Sequence, residues 1–183
     1  MKESHESQPA KFSGDLEALS KAELIELARL YARLFVAVDG FWYLAVKDFV
    51  SQDMATKCDI WVWDKYPRYE FRRLKSLLDI QGDDLKDFAR VFRWSPSSSM
   101  MTYDFSSDGD NKWTLVVKEC ATLRALEREG AGRHKTFCRE VDTPIFQQYV
   151  RAFNPKAKAI PVQLPPDMGD GSICCRWQFV LEE

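Results

Sequence analysis

The sequence predicts an α+β domain, an N-terminal helical bundle followed by a four-stranded antiparallel sheet with packed helices. Two observations predict it. Apolar residues recur at helical spacing as far as residue 94, and from residue 95 they alternate every second position. The length, 183 residues, fits one domain able to bury about two thirds of its unfolded surface without a disulfide or metal staple. Residues 1–14 are polar and expected to be disordered. Residues 15–183 then form a single α+β domain, with a helical half at 15–94 and a sheet half at 95–183.

The first helix starts at a capping box, Ser20 with Glu23. Leu24, Leu27, Ala28, Tyr31, Leu34, Phe35 and Val38 follow at helical spacing, and Asp39-Gly40 is expected to interrupt or bend the run. A second helix over about 41–49 is apolar on more than one face, the pattern of a buried helix. Residues 53–80 read as two helical pieces, with Pro67 in the first turn of the second. Gly82 ends that piece, and Asp84 opens a short helix through Leu85, Phe88 and Val91.

The run Ser95-Pro96-Ser97-Ser98-Ser99 is a loop by composition. Met101, Tyr103 and Phe105 alternate, as do Trp113, Leu115 and Val117, on either side of an Asp108-Gly109 turn, which predicts a β-hairpin. A helix over about 121–129 stops at Gly130. Another begins near Asp142 or Thr143, with Pro144 in its first turn, and ends at Asn154-Pro155. Strands at about 157–164 and 173–181 complete the sheet. In the last, Cys175, Trp177 and Phe179 share one face, so Cys175 is expected to be plain core.

Composition excludes several function classes. The charges are balanced at a formal net of -2, so no basic face is available to nucleic acid. The basic run at 68–75 spreads around a helix. No stretch of about 18 apolar residues exists to span a membrane, and the N-terminus lacks the apolar core of a signal peptide, so a cytoplasmic location is expected. The five cysteines are then reduced thiols rather than a disulfide framework.

Four of them, Cys120, Cys138, Cys174 and Cys175, crowd into the last third. His134 and Cys138, four apart, share a face if their segment is helical. Thiolate and imidazole suit zinc, and strand ends beside a helix are where distant ligands converge. The candidate metal set is therefore Cys120, His134, Cys138 and Cys174, with Glu119 or Glu140 as further carboxylates. The same residues allow a nucleophilic reading, with Cys138 or Cys120 as thiol and His134 as base. The serine loop offers hydroxyls to an anion but lacks a phosphate loop's glycines. The aromatic stock of six Trp, six Tyr and twelve Phe suits a core, an apolar pocket or, at 41–43 and 60–63, a subunit interface.

The order from Val117-Lys118-Glu119-Cys120 through Gly132-Arg133-His134 and Cys138, a helix with Tyr149 and Phe153, and Gly169-Asp170-Gly171-Ser172-Ile173-Cys174 resembles a known pattern. It is similar to the 4-vinyl reductase-type small-molecule-binding domains and the related L-2-amino-thiazoline-4-carboxylic acid hydrolase-like proteins, over about residues 100–181. The resemblance implies a helix-plus-antiparallel-sheet fold with an apolar pocket, often dimeric, with Cys138 and Cys174 as its suspected metal-binding positions. Its hydrolase branch implies opening of a small cyclic C–N bond, with no catalytic residue matched. The whole chain also resembles a family of bacterial and archaeal cytosolic proteins to which no activity attaches. Three functions are expected: a cytoplasmic binding domain for zinc or a small molecule, a Cys138–His134 or metal-water hydrolase of C–N bonds, and a homodimeric interaction module.

Overall fold

The computed structural model describes residues 15–167 and 169–182; the N-terminal segment expected to be disordered lies outside them. The α+β expectation holds, with five α-helices and a four-stranded antiparallel sheet. Helix α1 spans Lys21–Phe49 and α2 spans Gln52–Leu77. Helix α3 spans Leu85–Phe92, α4 Ala121–Glu129 and α5 Thr143–Phe153. Strands β1 (Met101–Ser107), β2 (Lys112–Cys120), β3 (Ala157–Gln163) and β4 (Cys175–Leu181) lie in the order β1-β2-β4-β3.

Local chemistry sets the helix starts. Ser20 Oγ accepts from the Glu23 amide at 3.3 Å while the Ser20 amide donates to the Glu23 carboxylate at 2.8 Å, closing the predicted capping box. Ser51 and Asp84 cap α2 and α3 through the amides of Met54 and Asp87. Helix α4 is capped by a thiol: Cys120 Sγ accepts from the Leu123 amide at 3.4 Å. It stops where Gly130 turns left-handed at φ 72°.

Two breaks expected in the helical half are absent. Asp39-Gly40 lies inside the continuous α1, because Asp39 turns inward among apolar neighbours and the helix keeps its turns. Pro67 lies inside α2 rather than at a helix start. It forgoes one backbone bond, and its ring is buried, so packing offsets part of the loss.

One face of the sheet carries the core. Leu115 and Val117 of β2, Trp177 and Phe179 of β4 and Ala157 and Ala159 of β3 are buried beneath α2, α3 and α5. Phe88 of α3 is wholly buried, with ring centroids 5.2 Å from Phe179, 5.5 Å from Phe153 and 6.2 Å from Phe71. Phe146 stacks on Trp177 at 4.6 Å. Such rings supply about 1.5–3 kcal/mol each by burial, with further gain from edge-to-face geometry. The edge strand β3 is clipped by α5: Gln147 accepts from the Ala159 amide and donates to the Ala157 carbonyl. The other sheet face, with Asp104, Lys118 and Arg176, is solvated.

Replacing Phe88 with Ala is expected to remove about 3–5 kcal/mol of stability. Urea unfolding followed by far-UV circular dichroism checks this; a loss under about 1 kcal/mol would show that the ring cluster does not carry the core.

Candidate functional site

The four sequence-predicted residues do not assemble into a metal centre. Among the described residues, no group of three or more His, Cys, Asp or Glu side chains is placed to hold a metal ion. This overturns the metal-binding and zinc expectation for Cys120, His134, Cys138 and Cys174.

Their separate positions explain why. The Cys120 sulfur is occupied as the cap of α4. The Cys174 thiol donates to the Lys118 carbonyl at 3.2 Å. Cys138 is buried at the start of a π-helical turn, Cys138–Asp142, where its thiol donates to the Asp142 carboxylate. His134 sits in a separate 3-10 turn, Arg133–Lys135, between the left-handed Gly132 and Thr136, with Nδ1 buried and without a hydrogen-bond partner. The segment expected to carry His134 and Cys138 on one helical face is broken into these two turns.

The hydrolase reading fails on the same geometry. A nucleophilic thiol needs a neighbouring cation or base to become thiolate. Burial instead pushes Cys138 far above the ordinary thiol range, and Asp142 and the neighbouring Cys175 and Cys120 push it further. Burial raises Cys120 as well. Cys175, which accepts from the Trp177 indole at 3.3 Å, is pushed up to about 12 by burial. Cys174 is raised chiefly by desolvation, although Arg124 opposes the shift. The serine loop is also spent internally: Ser98 and Ser99 donate to the Ser95 and Pro96 carbonyls at 2.8 and 2.6 Å.

The structure opens a different site. A cleft of about 570 Å3 lies between α1, α2 and α4. Its walls are largely apolar, among them Val36, Ala37 and Leu44 of α1 and Ala125 and Leu126 of α4. Exposed Arg33 and Arg128 and half-buried Arg133 line its outer part. Arg133 is held over the Tyr43 ring at 4.8 Å from the centroid and paired with Glu129 at 2.9 Å; Glu129 also pairs with Lys47 of α1, tying the two sides of the cleft. Inward, a second cavity of about 150 Å3 shares Val36, Asp39, Asp59, Met100, Thr122 and Phe137 with the first and reaches Cys120, Asp142 and Tyr149.

Three carboxyls gather at this inner end. Asp59 is raised to about 7, first by burial and then by repulsion from Asp39 and Asp142, against a hydrogen bond from Trp63 and the charge of Arg133. Burial raises Asp142 to about 6, and it raises Asp39 too. Near neutral pH Asp59 is therefore partly protonated. Sequence reading missed these carboxyls. The available signal was a carboxylate set in or beside an apolar run, Asp39 within 35–46 and Asp59 just before 60–63.

A model of a family of unknown function, DUF6125, matches residues 17–181. No curated protein matches the sequence significantly. Among solved structures, a trafficking protein particle complex subunit 3 from Naegleria fowleri, covalently bound to palmitic acid, is similar at 11% identity and a TM-score of 0.48, over 85% of this chain and 95% of that one. At that score the likeness carries no argument about ligand or activity. No helix among the described residues is long and apolar enough to cross a membrane.

A carboxyl with a raised folded-state pKa costs stability once the unfolded chain ionises. Wild-type stability is therefore expected to fall as pH rises from about 4 to about 7. Asp59→Asn removes much of that slope and stabilises the protein by about 1–3 kcal/mol at pH 8, with little effect at pH 4. Urea midpoints at the two pH values check it; an equal effect at both would mean Asp59 titrates like a solvated carboxylate.

Proposed function

This chain belongs to the family of unknown function DUF6125, and we propose that it is a small-molecule-binding domain whose ligand is an amphipathic anion. The observation that carries this reading is the cleft between α1, α2 and α4. Its volume falls in the range of small-molecule sites, and its lining combines an apolar wall with few polar groups. The ligand's apolar body would lie along Val36, Leu44 and Leu126, and its charged end would meet the guanidinium groups of Arg33, Arg128 and Arg133. Among the described residues, Glu129 pairs with Arg133, and no carboxylate pairs with Arg33 or Arg128.

The carboxyl floor supports the same polarity. As pH falls through about 7 and then about 6, Asp59 and Asp142 take up protons in turn, and the inner end loses charge and accepts an apolar chain end. As pH rises the floor gains charge, which disfavours both the apolar body and the anion. An apolar pocket in a helix-plus-antiparallel-sheet domain is also what the resemblance to the 4-vinyl reductase-type domains implies, and that kinship is part of the proposal. The site is one of binding: the raised thiols supply no nucleophile.

The probe is 8-anilinonaphthalene-1-sulfonate, an apolar ring system with one anionic group, followed by its fluorescence. Saturable binding at one site is expected, displaced by dodecanoate but not by dodecylammonium, and tightening as pH falls from 8 to 6. Ala125→Trp, which fills the cleft, abolishes it, and the pair Arg33→Glu with Arg128→Glu weakens it by about tenfold or more. Equal binding by wild type and Ala125→Trp would rule the cleft out, and preference for the ammonium would reverse the assigned polarity.

A further inference from the structure

Helix α1 is 29 residues long and buries none of them. Its protein-facing side carries Ala32, Val36, Asp39 and Tyr43, each only half-buried. The opposite side is apolar and open. Tyr31, Leu34, Val38, Phe41, Trp42 and Phe49 are 51–87% exposed. Leu24, Leu27, Tyr31, Leu34, Val38, Phe41 and Ala45 step along it by three, four, three, four, three and four residues, the spacing of a helix-pairing seam.

We infer that this seam is the contact face of a homodimer, in which the α1 helices of two copies pair antiparallel about a dyad near Val38. Area supports a protein partner. Tyr31, Phe41, Trp42 and Phe49 are 59–87% exposed, so at about 150–250 Å2 for a whole aromatic side chain they offer roughly 400–700 Å2 per copy, and half-exposed Leu34 and Val38 extend that area. A standard stable interface needs about 800 Å2 per partner.

Continuity of the seam supports a second copy in particular, because a helix with this repeat along its length is complementary to itself through a two-fold axis. The direction follows from the distribution of bulk. The most exposed aromatics, Phe41, Trp42 and Phe49, lie in the C-terminal half, while the N-terminal half is mainly aliphatic. Parallel pairing would set each large ring against its own copy. Antiparallel pairing sets the rings of one helix on Leu27, Tyr31 and Leu34 of the other. A lipid surface fits less well. Interfacial helices carry a Lys- and Arg-rich polar face, whereas α1 has four basic and four acidic residues and its other side packs on the protein.

The seam meets the ligand cleft at Phe41, whereas Leu34, Val38 and Trp42 do not line the cleft, so the substitutions used to test the seam leave the cleft lining intact. The test combines light scattering with cysteine cross-linking in full-length protein carrying Cys58→Ser to remove the exposed native thiol. A dimer is expected at micromolar concentration, and Leu34→Glu with Trp42→Glu should leave a monomer with an unchanged circular dichroism spectrum. If that variant fails to fold, cross-linking decides. Val38→Cys should link to itself under mild oxidation, and Phe49→Cys should not. A monomer at all concentrations overturns the inference, as does a dimer that survives the double substitution. Self-linking of Phe49→Cys overturns the antiparallel arrangement. Flotation of the wild type, but not the double variant, with vesicles of phosphatidylcholine and phosphatidylglycerol would assign the face to lipid instead.

Discussion

The structure depends on one constraint: a single face of the sheet is covered, and the rings of α2, α3 and α5 cover it completely. Phe71, Phe88, Phe153 and Phe179 meet edge to face or tilted around Phe88, and α1 contributes no buried residue to that cluster. Helix α1 therefore packs chiefly on α2 and on the short turn at Ser97–Met100. It stands beside the core without entering it, and α4 faces it across a gap. The gap between them is the cleft.

That arrangement sets the electrostatics of the molecule. Asp39 and Asp59 sit on the sides of α1 and α2 that face each other, at the margin of the core, where water is scarce and no lysine or arginine pairs with them directly. Desolvation then dominates over the distant Arg133 charge, and repulsion between the carboxyls adds to it. A further buried carboxyl, Glu70, accepts from Tyr149 at 3.0 Å through Oε2, while its Oε1 is buried without a hydrogen-bond partner among the described residues. The thiols obey the same rule. Burial penalises the thiolate, so the cysteine cluster that looked chemically promising is held in its neutral form.

Much of the fold was legible residue by residue. The Ser20–Glu23 box, the Asp108-Gly109 hairpin and the Gly130 stop are local signals whose backbone requirements are met by neighbours in sequence. The two misread breaks share a cause. Asp39-Gly40 and Pro67 are breakers by intrinsic preference, and contacts between α1 and α2 override a preference of about 1–3 kcal/mol. The site was less legible. Cys120, Cys138 and Cys174 attracted notice by residue type, yet type says nothing of whether a sulfur is free, and each is engaged by a backbone group or a carboxylate. Asp39, Asp59 and Arg133 drew little notice because, one at a time, they are ordinary helix and loop residues.

By itself the sequence determined the α+β class, where helices give way to strands, and which strand faces are apolar. Periodicity and capping are set within a few residues of chain. The tertiary structure alone decided that Asp39 and Asp59 share a cleft with three guanidinium groups, that each of Cys120, Cys138 and Cys174 is already engaged by a backbone group or a carboxylate, and that the apolar side of α1 faces outward. Desolvation and charge coupling depend on distances between residues far apart in sequence, and those distances exist only once the helices have packed.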